Sequence, residues 1–326
     1  MGARSGRRSP ISLTRNERFK MTVAETSTSI DISNILLATD FSETSEAALV
    51  YAGAVARQCG AVLHVAHVIA PDLLSLIAPN ARASSLKEQW RQAETRMGDL
   101  RRADELFGTE YRPIISEGSV GAVLSNLVRE RAIDLVVVGT RGHTGMKKLF
   151  LGSVAEEILG LVPCPLLTVG SKGPRQEPGV TQFHSIVAAI DFSAESMAAA
   201  KYAISLAQTL PASLALLHVV EMVTPRSADD KLRLEKPFLK KLRRLIQEGQ
   251  QFPRRIECMV EFGDPSTVIL NTVTDRQSDL IVVGARRAEA FAAHLPRSTA
   301  HRVTSEARCP VLTVRDFARR SNVGNW

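Results

Sequence analysis

The chain of 326 residues has few aromatic side chains, few cysteines and no long apolar run. Aromatic residues make up only 5% of it, while Ala, Val and Leu dominate the apolar part, which favours an α/β protein with aliphatic packing. No apolar stretch approaches the roughly 20 residues that a membrane-spanning helix needs. We therefore expect a globular protein with no membrane association.

The four cysteines show no spacing typical of a metal site. Cys164 and Cys309 lie in two nearly identical apolar segments, so we interpret them as core thiols in a reducing cytoplasm. The basic segment 1–30 contains no apolar stretch after Arg7 and Arg8, so export is not expected. It is predicted to be a disordered basic tail, or else translation starts at Met21.

Positive charge exceeds negative charge by seven, but no recognised nucleic-acid module accompanies it, so nucleic acid is not expected as a partner. Part of the excess lies in a predicted helix, 228–250, which contains Lys236, Lys240, Lys241, Arg243 and Arg244. This basic helix is either a docking face or an ordinary solvated face.

One sequence pattern occurs twice in the chain. The segment ending in Asp40-Phe-Ser42 returns 151 residues later as Asp191-Phe-Ser193, and the apolar segment before Gly139 returns 145 residues later before Gly284. A duplication of this length indicates two similar domains. We predict a tail at 1–30, domains at 31–170 and 183–315, a linker rich in Gly and Pro at 171–182, and a second tail at 316–326.

Within each copy, apolar strands alternate with helices. This alternation predicts an α/β fold with two tandem, doubly wound, five-stranded parallel sheets of the Rossmann-like type, in the strand order 3-2-1-4-5. In the first copy, strands are predicted at 34–39, 61–69, 112–116, 135–139 and 165–169, and helices at 43–58, 84–106, 120–131 and 153–161.

A glycine-rich loop follows the fourth predicted strand and leads into a helix. It contains Gly139, Gly142, Gly145 and Gly152, and the helix begins at Ser153 and Val154. Glycines allow close approach of a ligand, and a helix N-terminus attracts anions, so the segment predicts a phosphate site. The alternative is an ordinary turn between strand and helix. The spacing is neither that of a Walker A loop nor the compact dinucleotide fingerprint.

In the predicted sheet order, the ends of the first and fourth strands meet at the switch point, where doubly wound sheets bind ligands. Asp40 and Gly139 therefore converge on one crevice. Asp40 either accepts hydrogen bonds from a ribose or a base edge, or it caps a local turn. Ser153 either contacts phosphate, shares a divalent ion, or only caps its helix.

The loop contains four basic residues, Arg141, His143, Lys147 and Lys148. We expect some of them to neutralise phosphate and the others to face water. His67 and His218 lie in apolar strands, where a structural role is favoured over catalysis. No nucleophile with an adjacent base, and no pair of carboxylates, is evident in the sequence.

At these residues the chain resembles a tandem universal stress protein of the UspA family. The family's nucleotide motif, G-x-x-G, nine residues, then G-[ST], is complete here as Gly139, Gly142, Gly152 and Ser153. The resemblance covers about residues 31–170 and 183–315. It implies that the first domain binds ATP, with or without Mg²⁺, and that the last strands of the two domains, 165–169 and 310–314, pair with each other.

The resemblance also implies a role for each site residue. The adenosine is expected to contact the ends of the first two strands, and the phosphates are expected at the loop and the helix that follows. The complete set of expected nucleotide-binding residues is Thr39, Asp40, His67, Val68, Gly139, Arg141, Gly142, His143, Gly152, Ser153 and Val154.

The second copy departs from the motif. Gly284 and Ser298 remain, but Arg287 and Arg297 replace the two intermediate glycines, so we expect little or no ATP binding there. Alternatively, these arginines and Arg286 bind a different anion.

The favoured function is an ATP-binding regulatory protein of the stress response. The alternatives are a slow ATPase or nucleotidyl-transferring enzyme, and a dimerising scaffold that binds nothing. A homodimer and unidentified regulatory protein partners also remain open.

Overall fold

A computed structural model describes residues 31–70, 79–102, 106, 108–140, 153–170, 183–246, 254–285 and 298–315. The predicted tails, the predicted linker and the loop residues 141–152 lie outside this range. Among the described residues, no helix is long and apolar enough to cross a membrane.

The first half of the described chain alternates strands and helices. Its elements are β1 (Asn34–Ala38), α1 (Glu43–Cys59), β2 (Val62–Ile69), α2 (Pro79–Arg101), β3 (Tyr111–Glu117), α3 (Val120–Glu130), β4 (Leu135–Gly139), α4 (Ser153–Leu161) and β5 (Leu166–Val169). Ser42 caps α1 by accepting a hydrogen bond from the Ser45 backbone N–H, and Gly60 ends the helix in the left-handed conformation.

The second half repeats this order. Its elements are β6 (Ser185–Ala189), α5 (Ala194–Thr209), β7 (Ser213–Val220), α6 (Ala228–Arg243), β8 (Ile256–Phe262), α7 (Pro265–Asp275), β9 (Leu280–Gly284), α8 (Thr299–Glu306) and β10 (Val311–Val314). The predicted duplication of the strand–helix pattern is therefore present in the structure.

All ten strands form one sheet, in the order β3-β2-β1-β4-β5-β10-β9-β6-β7-β8. Each half has the predicted order 3-2-1-4-5 with parallel pairing. The two halves join where β5 and β10 pair antiparallel, with Val311 opposite Thr168 and Thr313 opposite Leu166. The pairing through the last strands that the resemblance implied is thus observed, and it merges the two expected sheets into one.

The two faces of the sheet are packed differently. On one face, a single hydrophobic core extends across both halves and includes Leu49 of α1 and Ile204 of α5. On the other face, α3 and α4 cover one core around Leu36 and Val136, while α7 and α8 cover a separate core around Val187 and Ile281. The first face therefore unites the halves, and the second face has a separate core in each half.

Most predicted elements are confirmed, and the main differences concern the long helices. The helix predicted at 84–106 begins five residues earlier, at Pro79, a residue suited to the first turn because it has no N–H to leave unpaired. It ends at Arg101. The helix predicted at 228–250 ends at Arg243 and is followed by turns up to Ile246.

Candidate functional site

The candidate site lies where the sheet of the first half reverses its strand order. β1 and β4 are adjacent and parallel, with Ala38 opposite Val138. The next residues along the two strands, Thr39 with Asp40 and Gly139 with Thr140, therefore emerge side by side at the carboxyl edge of the sheet. This arrangement confirms the predicted meeting of the two strand ends, and switch points of this kind are where doubly wound sheets bind ligands.

Asp40 forms a tight turn at the start of α1. Its Oδ1 accepts hydrogen bonds from the Ser42 backbone N–H at 3.0 Å, the Ser42 hydroxyl at 2.5 Å and the Ser45 hydroxyl at 2.9 Å. In the second half, Asp191 accepts the two corresponding bonds from Ser193, at 2.9 and 2.5 Å. The local capping role of Asp40 is therefore real, and it belongs to both halves.

The residue after each of these aspartates has an unusual backbone. Phe41 and Phe192 have φ angles of 60° and 63°, in the left-handed region that a bulky side chain rarely adopts. Their rings lie 4.6 Å from His67 and 4.7 Å from His218, measured between ring centroids. Sequence reasoning did not detect this turn, because nothing in the residue types distinguishes a strained Phe from an ordinary one.

The two histidines fix the ends of the neighbouring strands. Nδ1 of His67 lies 2.9 Å from the carbonyl oxygen of Thr39, and Nδ1 of His218 lies 2.7 Å from that of Ile190. Burial lowers the pKa of His218, which favours a neutral ring that donates this hydrogen bond. These contacts confirm a structural role for both histidines.

Thr39 is buried and takes part in the same turn. Its hydroxyl oxygen accepts a hydrogen bond from the Phe41 N–H at 3.0 Å and lies 3.1 Å from the Ser45 hydroxyl. The corresponding residue of the second half is Ile190, which has no hydroxyl group. Thr39 is therefore a polar feature of the first half alone.

Gly139 is required by packing. A Cβ at this position would lie 2.8 Å from the carbonyl carbon of Thr44 and 3.0 Å from the backbone nitrogen of Ser45, too close for a side chain. A Cβ at Gly284 would likewise lie 2.5 Å from the carbonyl carbon of Glu195 and 2.5 Å from the backbone nitrogen of Ser196. The glycine that opens the loop thus lets the strand end touch the first turn of α1, which explains why both halves keep it.

The floor of the crevice is apolar. Ala38 and Val68 end neighbouring strands, and both are partly exposed while packing on the core beneath α3 and α4. Their counterparts, Ala189 and Val219, line a cavity of about 120 Å³ in the second half, together with Asp191 and Gly284. An apolar floor beside a carboxylate suits a flat aromatic ligand that carries polar substituents.

The start of α4 provides the remaining part of the site. Ser153 and Val154 are its first two residues, so the predicted helix N-terminus is present. Four other predicted site residues, Arg141, Gly142, His143 and Gly152, lie outside the described residues. In the second half, Ser298 caps α8 by accepting from the His301 N–H at 3.3 Å, which is the capping alternative that was considered for Ser153.

The structure places two of the cysteines in the core, as the sequence interpretation expects. Cys164 and Cys309 are free and buried, and burial raises the pKa of each thiol to about 12. Within the part of the chain that the structure describes, no group of three His, Cys, Asp or Glu side chains could hold a metal ion. The described residues fit the adenosine part of a nucleotide, and any magnesium ion would need ligands from elsewhere, such as phosphate oxygens.

Comparisons with known proteins agree with this architecture. The model of the universal stress protein family matches residues 32–170 and 182–315. A universal stress protein of Mycolicibacterium smegmatis is 27% identical over 288 residues, covering 86% of this chain and 96% of its own length. Universal stress protein A homolog 1 of Coxiella burnetii is 34% identical over 144 residues, covering 43% of this chain and 96% of its own length.

Among solved structures, a universal stress protein from Archaeoglobus fulgidus matches with a TM-score of 0.65 at 22% identity. The match covers 88% of this chain and 99% of that protein, so the similarity of fold extends over both halves. Because the family model matches two successive segments that together make up most of the sequence, the chain belongs to the universal stress protein family, with two family domains in tandem.

Proposed function

We propose that the first half binds ATP in the crevice between β1 and β4, and that the protein is a nucleotide-binding regulator in a stress response. The observation that carries this proposal is the side-by-side emergence of Asp40 and the Gly139 loop at the switch point of the sheet. The loop that begins there has the complete glycine motif, whereas the loop after Gly284 does not.

Each described residue has a chemically suitable role. Ala38 and Val68 would contact the adenine ring through their partly exposed side chains. The Asp40 carboxylate would accept hydrogen bonds from the ribose hydroxyl groups. The N-terminus of α4, at Ser153 and Val154, would place unpaired N–H groups and the positive end of the helix dipole near the phosphates.

A second candidate is a scaffold that binds no nucleotide. It is favoured by one observation: Asp40 and Gly139 both have structural roles that recur at Asp191 and Gly284. On this hypothesis the ten-stranded sheet serves only to hold the two halves together for association with other proteins.

Nucleotide binding by the full chain separates these candidates. We expect nucleotide to be released when the purified protein is denatured, and calorimetric titration with ATP and Mg²⁺ to show one site per chain. The Gly142→Arg variant, which imitates Arg287 of the second half, should lose at least about tenfold in affinity.

Gly98→Arg is the matched control. A Cβ at Gly98 on α2 would meet nothing within 4 Å, so a side chain can leave the helix there without a clash at its first atom, and we expect this substitution to leave both the fold and ATP affinity unchanged. If no nucleotide is released and millimolar ATP produces no binding heat, the proposal fails and the scaffold is supported. Following ADP, AMP and phosphate over time in the same samples tests the alternative of a slow ATPase or nucleotidyl transferase.

A further inference from the structure

The connection after β7 and the first turns of α6 expose apolar side chains to an unusual degree. Among the described residues, four large hydrophobic side chains are classed as exposed, and three of them lie between positions 222 and 232. Met222 is fully exposed, Leu232 is 65% exposed and Val223 is 37% exposed. Apolar exposure concentrated in one short segment is typical of a surface that binds another molecule.

The same helix has strong positive charge towards its C-terminal end. From Lys236 to Ile246 there are five basic residues and no acidic one. Lys241 lies over the Phe192 ring, with its Nζ 5.1 Å from the ring centroid. For the other four basic residues, no carboxylate of the described chain lies within salt-bridge distance; they are Lys236, Lys240, Arg243 and Arg244.

These two features meet in a groove along α6. The groove has a volume of about 820 Å³, and its lining includes Leu232, Leu239 and Ile246 together with the four basic residues. Leu232 and Leu239 are seven positions apart on α6, the spacing at which one helix presents a narrow seam to another helix, and Ile246 lies in the turn that follows the helix. The basic residues flank this seam.

The corresponding helix of the first half has no such surface. On α2, Arg91 pairs with Glu88 at 2.6 Å, and just after the helix Arg102 pairs with Asp99 at 2.7 Å. In sequence, α2 contains three acidic residues beside its five basic ones, whereas the stretch from Lys236 to Ile246 contains five basic residues and no acidic one. The basic apolar groove is a property of the second half.

We propose that the α6 groove, defined by Leu232, Lys236, Leu239, Lys240, Arg243, Arg244 and Ile246, binds an acidic amphipathic helix of a partner protein. Apolar side chains at heptad spacing would fill the seam, and flanking carboxylates would pair with the four basic residues. This inference does not depend on nucleotide binding by the first half.

Other occupants fit the groove less well. A second copy of the chain would bring the same positive face against itself. A membrane surface is flat and anionic, whereas this surface borders a cavity of about 820 Å³ and contains Glu235 in its lining. Nucleic acid would satisfy the charge, but it would leave the exposed apolar seam without a matching partner.

A designed helical peptide tests the proposal on the full chain. The probe has Leu at heptad positions with Glu on both flanks, is labelled with a fluorophore, and is titrated by fluorescence anisotropy. A scrambled peptide of identical composition keeps the charge and removes the seam. We expect the designed peptide to bind at least about tenfold more tightly than the scrambled one.

Variants on the groove identify the contact. Lys236→Glu with Lys240→Glu should weaken binding of the peptide at least about tenfold, and Leu232→Ser should weaken it about threefold to tenfold. Lys87→Glu on α2 is the control and should change affinity less than about twofold. Circular dichroism should show that the melting temperatures of these surface variants stay close to that of the unaltered protein.

Three results would overturn the proposal. The first is that the designed peptide does not bind, and the second is that the scrambled peptide binds equally well. The third is that phosphatidylserine vesicles, or a single-stranded oligonucleotide, bind more tightly than the peptide and show the same losses with the groove variants.

Discussion

The two halves of the protein have the same four features at the carboxyl edge of the sheet, which we call the frame, but they differ in the residues around it. Both have an aspartate that accepts hydrogen bonds from the serine capping the first helix, a phenylalanine in the left-handed conformation, a histidine bonded to the adjacent strand end, and a glycine that contacts helix backbone. Because a half with an incomplete glycine motif keeps all four features, they belong to the fold. They do not by themselves identify a nucleotide site.

The differences lie around this frame. The second half replaces buried Thr39 by Ile190, and it connects α7 to α8 through Arg302, whose Nη1 lies 3.2 Å from the Asp264 carboxylate. The residues at the corresponding positions in the first half are Ser119 and Glu157, which cannot form this ion pair. The two halves have therefore diverged at the end of the first strand and at the contact between the two helices of the second face.

The largest expected effect tests the shared frame. Gly284→Ala should destabilise the protein by about 3 kcal/mol, because its Cβ would lie 2.5 Å from backbone atoms of α5 that cannot move aside. Gly139→Ala should cost less, about 2 kcal/mol, since its closest backbone atom is 2.8 Å away. Urea unfolding followed by circular dichroism measures both values.

A control accompanies these two substitutions. Gly98→Ala adds the same methyl group where nothing lies within 4 Å, and it should leave stability unchanged or slightly raise it, since Gly98 is inside α2. If Gly139→Ala were neutral while ATP affinity fell, the glycine would serve the ligand alone, and the shared packing role would be contradicted.

The second prediction separates capping from binding. Asp40→Ala and Asp191→Ala should each cost about 1 kcal/mol of stability, because each removes the acceptor for the serine two residues later. Only Asp40→Ala should also lower ATP affinity, by about tenfold. If both variants lose the same stability and neither changes ATP binding, Asp40 has only a structural role in its turn, and the scaffold hypothesis is favoured.

Much of this frame could be predicted from the sequence. The apolar runs and the terminating glycines placed β4 and β9, and the repeated Asp-Phe-Ser segment placed the two helix starts. The alternation of elements predicted parallel, doubly wound sheets, whereas the strand order 3-2-1-4-5 was assumed and is confirmed by the structure. The pairing of β5 with β10 followed only from the resemblance, because the residue types of two short apolar strands do not indicate which strand each one pairs with.

The role of Gly139 shows what the sequence could not supply. From the sequence, its missing side chain indicated a ligand approaching the backbone. In the structure that space is occupied by the backbone of Thr44, which lies far away in the chain. The contact depends on how the strand and the helix pack in three dimensions, and no local pattern of residue types reports it. The same holds for the positive φ of Phe41.

The smallest expected effect concerns the two histidines. His218 is buried between the rings of Phe192 and Phe238, with centroid distances of 4.7 and 4.5 Å, whereas the ring contact at His67, which is only partly buried, is with Phe41. Burial lowers the pKa of His218 below its ordinary value of 6.5. In the unfolded chain the histidine is therefore protonated at a higher pH than in the folded protein.

The sign of the pH effect follows from this difference. As the pH falls below 6.5, this histidine becomes protonated in the unfolded chain while His218 of the folded protein stays neutral. The free energy of unfolding therefore decreases until the pH passes the lower pKa of the folded protein. His218→Asn keeps a side-chain N–H that can bond the carbonyl of Ile190 and removes this titration. The loss of stability between about pH 8 and about pH 5 should then be shallower than in the unaltered protein. An unchanged slope would show that His218 is not held neutral by its burial.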